Sequence, residues 1–322
     1  MNRRFSFLAL AASACLASSA FAQGFPAKPV RIVSAFSAGS GPDAMLRLVA
    51  ERLSKAWEQQ VIIDNRPGGS GFVAVAEVKK APADGYTLLH ADGLNFTAIP
   101  HLYKKAPYEA VDFDPVTPVH RSYFFITVST NSPWKSVADL VATAKAKPGE
   151  VTYGSWQVGS VAHLGGAALE EATGTRMNHI PFKENSQLYT GVANGDVNWA
   201  FGTAGSAGPL QRAGKVRFLA LAGPQRLAAY PEVPTVAESG GPARFEASGW
   251  VGLFAVRGTA RATSEKIAAD LANALSGADI RARMSEFGYE AVPMSPAQTA
   301  RLVATESLHY AQVVKRSEIS LD

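Results

Sequence analysis

Two loops rich in serine and glycine have the composition of an anion-binding site. Each follows a short apolar run and precedes an amphipathic segment, so each is predicted to join a strand to a helix. A helix N-terminus presents unpaired N–H groups and the positive end of the helix dipole, and glycine allows close approach of a bound group. The candidate residues are Phe36, Ser37, Ala38, Gly39, Ser40, Gly41 and Asp43 in the first loop, and Ser155, Trp156, Gln157, Gly159, Ser160 and the following His163 in the second.

The two loops have one physical design, which makes the pair more informative than either alone. In parallel sheets, ligands bind beyond the carboxyl ends of the strands. One loop from each of two lobes would hold a small anion from two sides. Each hydrogen bond to a charged group contributes roughly 1.5–3 kcal/mol, so about four or five of them would support micromolar affinity.

A plainer interpretation treats both loops as ordinary strand-to-helix turns. Ser40 and Ser160 would then only cap their helices, and Asp43 would only favour a first helical turn. His163 is as well suited to packing or capping as to ligand binding. The residues alone leave both interpretations open.

Signatures of catalysis are missing from the sequence. It contains no G-x-S-x-G elbow, no H-E-x-x-H and no pair of histidines at helical ligand spacing. Gly39-Ser40-Gly41 does not continue into a dinucleotide fingerprint because Ala44 stands where the third glycine belongs. Gly208 to Lys215 is one residue too long for a phosphate loop. None of these motifs therefore indicates an enzyme.

The pattern of the whole chain predicts the elements that position these loops. Short β-branched runs alternate with helical periodicity, which predicts an α/β fold of mainly parallel sheets flanked by helices. The first loop would follow a strand at 30–36. The second would lie between a strand at 151–155 and a helix at 161–173, capped by Gly174. The helix after the first loop is predicted to bury Met45, Val49, Leu53 and Trp57.

A change of pattern near Tyr123 predicts a second domain inserted into the first. The first domain would comprise residues 23–122 and 248–322, and the inserted domain residues 123–247. The run from 250 to 256 would be the strand that returns to the first sheet. Two α/β lobes joined by two crossovers would form a hinged clamp with the ligand in the interdomain cleft.

Residues 1–22 have the layout of a cleaved secretory signal peptide: a basic pair, an apolar run and a final Ala-x-Ala. Cleavage would remove Cys15, the only cysteine, and exclude disulfides and thiolate sites from the mature chain. Removing Arg3 and Arg4 from the 31 basic residues leaves a net charge of +2 against the 27 acidic ones. This near balance gives no indication of a nucleic-acid partner.

Ordered motifs along the mature chain resemble one family, the receptor proteins of tripartite tricarboxylate transporters, often called the Bug family. The motifs occur throughout the chain and keep the family's order. They are Lys28 to Val33, Phe36 to Asp43, Asp64 to Gly68, Pro82 to Leu89, Tyr153 to Ser155, Gly159-Ser160, His163-Leu164, Pro181 to Lys183, Ala213 to Lys215, Tyr230 to Thr235 and Trp250 to Leu253.

The resemblance implies a two-lobed periplasmic-binding-protein fold of type II character that closes around a small carboxylate, without catalysis or a cofactor. Family members hold one carboxylate through the two loops, with backbone N–H groups and ordered waters. The resemblance adds two candidate ligand contacts in the cleft, Asn95 after the third strand and Thr203 in the inserted lobe. It also implies periplasmic localisation, a monomer, and a large and a small integral membrane subunit as partners.

The second loop departs from the family pattern in a way that suggests a ligand. Where the family continues with small residues, this chain has Trp156-Gln157. A planar side chain in a ligand loop can stack on a flat ligand, which contributes about 0.5–1.5 kcal/mol beyond burial. The hypothesis is an aromatic dicarboxylate of the phthalate type. Trp156 could instead pack under its own loop.

Two other functions are compatible with the sequence. A ligand-dependent periplasmic sensor would use the same fold and present its closed form to a membrane kinase. An exported α/β hydrolase belongs to another class, and the missing nucleophile motif weighs against it.

Overall fold

The computed structural model of the chain describes residues 24–104, 108–182, 184–316 and 319–321. The predicted signal peptide, Cys15 and Lys183 lie outside the described residues. Among the residues described, no helix is both long enough and apolar enough to cross a membrane.

The first part of the chain forms three parallel strands with helical connections. Strands β1 (Val30–Ser34), β2 (Val61–Asn65) and β3 (Thr87–Asp92) alternate with helices α1 (Gly41–Trp57) and α2 (Phe72–Val78), and the short helices α3 (Leu94–Thr97) and α4 (Ile99–Leu102) follow. β1 lies between β2 and β3. The apolar face predicted for α1 is confirmed, because Met45, Val49, Leu53 and Trp57 are all buried.

Strand β4 (Phe113–Ser129) is longer than the sequence predicts. The sequence pattern predicts a strand only at 124–129, because Pro115 and Pro118 interrupt the preceding stretch and proline donates no hydrogen bond to a sheet. The structure accommodates both prolines beside register irregularities in the pairing of this stretch with a later strand.

The middle of the chain forms a second set of strands and helices, and the predicted helix at 161–173 is confirmed with Gly174 as its left-handed cap. The elements are α5 (Val137–Ala146), β5 (Thr152–Ser155), α6 (Val161–Thr173), β6 (Asn178–Pro181), α7 (Asn185–Asn194), β7 (Trp199–Gly202), α8 (Gly208–Arg212) and β8 (Val216–Ala222). Their core gathers around large aromatic side chains that are fully buried, among them Tyr153, Trp199 and Phe201.

The last part of the chain returns to the first set of strands. Strand β9 (Ser248–Val256) is followed by α9 (Arg261–Leu275), α10 (Ala278–Phe287), the two-residue strand β10 (Tyr289–Glu290) and α11 (Pro296–Arg316). Helices α9 and α10 pack on α1 through a shared apolar core, and α11 packs on the other side of the sheet with Val313 and Val314.

The strands form a mixed, curled sheet with the order β2-β1-β3-β9-β4-β7-β5-β6. The outer strands pair in parallel, as predicted, whereas every described pairing of β4 or β9 is antiparallel. These two strands carry the chain between the two sets of strands. The expectation of mainly parallel sheets therefore holds for the outer strands and not for the two central ones.

The pairing of β4 changes partner within the strand, which supports the predicted division into two lobes. Residues 113–123 of β4 pair with β9. From Phe124 onward it pairs with β7 and β8. β9 begins at Ser248, one residue after the proposed end of the inserted lobe. We keep 23–122 with 248–322, and 123–247, as the proposed domain boundaries.

The tight packing of α6 onto β5 gives a first prediction. A Cβ atom at Gly166 would lie 2.2 Å from the Tyr153 ring, whereas one at Gly191 of α7 would meet only ordinary contacts at 3.5 Å or more. Gly166→Ala should lower the free energy of unfolding by about 1–3 kcal/mol through overpacking. The matched variant Gly191→Ala should raise it by up to about 1 kcal/mol through helix propensity. Urea unfolding measures both, and equal effects would contradict the packing.

Candidate functional site

A cleft of about 580 Å³ lies beyond the carboxyl ends of β1, β3 and β5. Both predicted loops reach it, one before α1 and one before α6. The predicted residues that line the cleft are Phe36, Ser37, Ser40, Asn95, Trp156, Gln157, Gly159 and Ser160. The two loops, which are more than a hundred residues apart in the sequence, therefore form one cavity.

Ser40 lies at the N-terminus of α1 with its hydroxyl uncommitted. It is the residue before the first helical position, yet its side chain makes no capping hydrogen bond. Its Oγ is buried and has no hydrogen-bond partner among the described residues. Burying a hydroxyl without a hydrogen-bond partner costs free energy. Because Ser40 lines the cleft, a ligand or a water molecule bound there can supply the missing partner.

Asp43 does not line the cleft but fixes the conformation of the first loop. Its fully buried carboxylate accepts hydrogen bonds from Gly39 N (2.8 Å), Asn65 Nδ2 (2.8 Å) and Arg47 Nε (2.9 Å). Burial opposes its ionisation, but these hydrogen bonds and the charge of Arg47 outweigh burial and hold its pKa below the ordinary value. Ala38, Gly39 and Gly41 belong to the same turn but are not among the residues that line the cleft, and Gly39 takes a positive φ of 80°.

Ser155 and His163 support the second loop from behind in the same way. Ser155 is fully buried, and its Oγ lies 2.8 Å from the carbonyl oxygen of Gln157 and 2.7 Å from His179 Nε2. His163 Nδ1 accepts a hydrogen bond from Gly159 N (3.0 Å), and its ring stacks on His179 at 3.7 Å. Burial lowers the pKa of His163 to about 3, so its ring is neutral. It serves the packing role considered for it and lies outside the cleft lining.

Ser160 caps α6 and also lines the cleft. Its Oγ accepts a hydrogen bond from His163 N (3.4 Å) and donates one to the carbonyl oxygen of Gln157 (2.8 Å). The capping role and the cleft position predicted as alternatives are therefore both present in this residue.

Trp156 both packs within its own lobe and lines the cleft. One face of its ring stacks on Phe124 at 5.6 Å with an interplanar angle of 26°, which is packing within its own lobe. The residue also lines the cleft. The next residue, Gln157, reaches the loop from the other set of strands, where its Nε2 donates to Ser70 Oγ (3.2 Å).

Thr203 is not among the residues that line the cleft. Its Oγ1 accepts a hydrogen bond from Ser206 N (3.1 Å), and its backbone N donates to Ser206 Oγ (2.9 Å). These bonds close the turn after β7. The structure therefore does not place Thr203, a predicted ligand contact, at the cleft.

The loop from Pro67 to Gly71 lines the cleft, although the sequence motif at 64–68 includes only its first two residues. Ser70 adopts a left-handed conformation with φ 54°. Asn95 Nδ2 donates a hydrogen bond to the carbonyl oxygen of Ser70 (2.6 Å). A Cβ at Gly71 would lie 2.8 Å from Asn95 Nδ2. The glycine run was the available signal, because it permits the positive φ values that this turn requires.

The electrostatics of the cleft come from backbone groups and hydroxyls. Of the described residues that line it, Asp92 is the one with an ionisable side chain. The other polar groups are serine hydroxyls, amides and the N-termini of α1 and α6. No group of three or more histidine, cysteine or acidic side chains that could hold a metal ion occurs within the described part of the chain. The arrangement is suited to bind a small anion by hydrogen bonds.

Comparison with known proteins identifies the family. A family described as the tripartite tricarboxylate transporter family receptor matches residues 45–319. The chain belongs to this receptor family. Protein BugT of Bordetella pertussis is 30% identical over 312 residues, which cover 96% of this chain and 95% of BugT. A UPF0065 protein of Agrobacterium vitis is 32% identical over 305 residues, which cover 94% of this chain and 87% of that protein.

Solved structures of this receptor family have the same fold. The structure of Rpa4515 of R. palustris with adipate has a TM-score of 0.80 and 31% identity, and covers 92% of this chain and 99% of its own. MatC of Rhodopseudomonas palustris with bound malate has a TM-score of 0.74 and 26% identity, and covers 90% of this chain and all of its own. The predicted periplasmic-binding-protein fold is confirmed, and the family is one of solute-binding receptors for a membrane transporter.

The buried carboxylate of Asp43 gives a prediction on stability. Asp43→Asn should lower the free energy of unfolding by about 2–4 kcal/mol because its amide cannot accept all of the same hydrogen bonds. The stabilisation is fully present above the unfolded-state pKa, near 4, and is lost as pH falls through the lower folded-state pKa. Asp279→Asn, which removes an exposed partner of Arg52, should change little. Urea unfolding between pH 3 and 7 checks this, and identical pH profiles for wild type and Asp43→Asn would contradict it.

Proposed function

We propose that this receptor captures a small carboxylate between the N-termini of α1 and α6. The observation that carries the proposal is the uncommitted hydroxyl of Ser40 in the same cleft as the N-terminus capped by Ser160. Backbone N–H groups at the two helix starts would supply the remaining donors. Neither lysine nor arginine is found among the described residues that line the cleft, so the anion is held by fixed dipoles.

The cellular role follows from the family. We propose that the protein is exported to the periplasm through the predicted signal peptide and acts there as a monomer. It would close its two lobes around the ligand and deliver it to a large and a small integral membrane subunit. It would do so without catalysis and without a cofactor.

The ligand that we propose is an aromatic dicarboxylate of the phthalate type. The stack of Trp156 on Phe124 leaves Trp156 among the residues that line the cleft, so a flat ligand could extend that stack. Relatives solved with adipate and with malate support a ligand with two carboxyl groups. Their ligands are aliphatic, and an aliphatic diacid is the alternative that the binding experiments must separate.

The hydrolase alternative can be judged at Ser155 and His179, which resemble a nucleophile and its base. Ser155 is fully buried. Its Oγ lies 2.8 Å from the carbonyl oxygen of Gln157, which competes for the serine proton, and 2.7 Å from His179 Nε2. Neither Ser155 nor His179 is among the described residues that line the cleft, so a ligand held there does not meet this pair. The pair is a structural support of the loop.

The carboxylate site predicts a specific effect of Ser40→Ala. The variant removes a hydroxyl that has no partner among the described residues, so the stability measured without ligand should be unchanged or slightly higher. Its affinity for a bound carboxylate should fall roughly 10- to 100-fold, the equivalent of one hydrogen bond to a charged group. A thermal-shift screen with aliphatic and aromatic mono- and dicarboxylates, followed by calorimetry, measures both quantities.

The control for that experiment is Ser276→Ala, at the exposed end of α9. It should leave the affinity unchanged. If the folded wild-type protein binds no carboxylate of the panel, the carboxylate assignment is overturned. Equal affinity of wild type and Ser40→Ala would remove Ser40 from the site.

The aromatic assignment is tested separately with Trp156→Leu. If the ring stacks on the ligand, the variant should lose about 2- to 10-fold in affinity for terephthalate or phthalate and little for adipate. If Trp156 serves only to pack on Phe124, both ligand classes should be affected alike. Calorimetric titration of wild type and variant with each ligand distinguishes the two cases.

A further inference from the structure

Asp92 is an acidic residue in a cleft built for an anion. It is the last residue of β3 and lines the cleft. Its Oδ1 accepts a hydrogen bond from Leu94 N (2.9 Å). Among the residues that the structure describes, no lysine or arginine forms an ion pair with it. An acceptor without a counterion at the surface of a binding site calls for a donor from the ligand.

The elements around Asp92 offer it no compensating charge. On β1 the neighbouring stretch is Ala35 and Phe36, and on β9 its strand partner is Val251. His90, two residues earlier on β3, is fully buried, and burial lowers its pKa to about 3.

The charged and titratable groups beyond β9 are Glu306 and Tyr310 of α11 and Arg121 of β4. Arg121 faces Glu306, with 4.0 Å between Nη2 and Oε1. Glu306 also accepts a hydrogen bond from Trp250 Nε1 (2.8 Å). Among the described residues of these elements, the cation Arg121 is therefore engaged by another carboxylate. Burial raises the pKa of Asp92 to about 6, in keeping with this lack of a partner.

We propose that Asp92 selects the far end of the ligand by accepting a hydrogen bond from an O–H group, either a hydroxyl or a singly protonated second carboxyl. This inference rests on the proposed carboxylate site, where the helix N-termini hold the first carboxylate. A second carboxylate without a proton would place two negative charges side by side. The acid and the carboxylate can share one proton, as paired carboxyl groups do.

The proposal makes binding of a diacid depend on pH in a way that binding of a hydroxy acid does not. Above the pKa of Asp92, both the protein carboxylate and the free diacid are ionised, so binding must take up one proton. The affinity for a diacid then falls by up to about tenfold for each pH unit. A hydroxy acid brings its own donor, and a monocarboxylate has no group to place against Asp92.

Two matched ligand sets and one isosteric variant test the proposal. The sets are hexanoate, 6-hydroxyhexanoate and adipate, and benzoate, 4-hydroxybenzoate and terephthalate. Calorimetry at pH 5.5 and 7.5, in buffers of different ionisation enthalpy, gives affinity and proton uptake. For the wild type we expect the diacid to bind at least tenfold more weakly at pH 7.5 than at 5.5, with uptake of close to one proton. The hydroxy acid should exceed the monocarboxylate at least fivefold at pH 7.5.

Asp92→Asn retains an acceptor for Leu94 N but cannot ionise. It should bind the diacid at least tenfold more tightly than wild type at pH 7.5, without proton uptake. Its preference for the hydroxy acid should shrink. The control Asp114→Asn alters another carboxylate that accepts a hydrogen bond from a backbone N–H, that of Gly258 (2.9 Å), and should behave as the wild type.

The possible failures are distinguishable. If monocarboxylates bind but the hydroxyl, the second carboxylate and pH have no effect on affinity, the role of Asp92 is wrong and the carboxylate site stands. If no ligand of either set binds wild type or Asp92→Asn, the proposed function itself fails and the inference fails with it.

Discussion

Backbone N–H groups can hold an anion only where the chain is fixed in one conformation, and much of this structure serves that constraint. The two helix N-termini in the cleft are each fastened from behind by a buried polar side chain. Asp43 accepts the N–H of Gly39 in the first loop, and His163 accepts the N–H of Gly159 in the second. One support is charged and the other neutral, yet both bind the loop glycine from the first turn of the following helix. Each loop is therefore fixed by contacts within the protein itself.

The constraint extends from the loops to the strands that bring them together. β1 and β5 belong to different sets of strands, so their loops meet only because β4 and β9 carry the chain between the sets. The ring of Trp250 in β9 packs directly against Gly93, where a side chain would collide with it. Its Nε1 donates a hydrogen bond to the carboxylate of Glu306 in α11. The strand that links the lobes thus contacts the segment that follows Asp92. The crossing strands therefore contribute contacts next to the cleft as well as the connection between the two sets of strands.

The fold was largely predictable from the sequence because its elements are locally consistent. The stripe of α1, the cap at Gly174 and the strand at Val216–Ala222 follow from periodicity and turn residues. The first half of β4 was missed because two prolines mask a strand whose irregular pairing tolerates them. The site was predictable only in part. Ser40 and Trp156 were recognised by loop composition, whereas Asp92 ends an ordinary buried strand and has no local signal.

Two residues of the cleft have roles that depend on the partners around them and not only on the local sequence. Among the described residues, the Ser40 hydroxyl has no hydrogen-bond partner, and the Asp92 carboxylate accepts one backbone hydrogen bond, from Leu94 N. In a core such groups would be removed by selection for stability, because a polar group buried without a partner costs about 1–3 kcal/mol. Their presence in one cleft avoids this cost only if a ligand or an ordered water molecule supplies the missing hydrogen bonds. Loop composition indicates Ser40 from the sequence, but only the structure shows that its hydroxyl has no partner among the described residues and that Asp92 lines the same cleft.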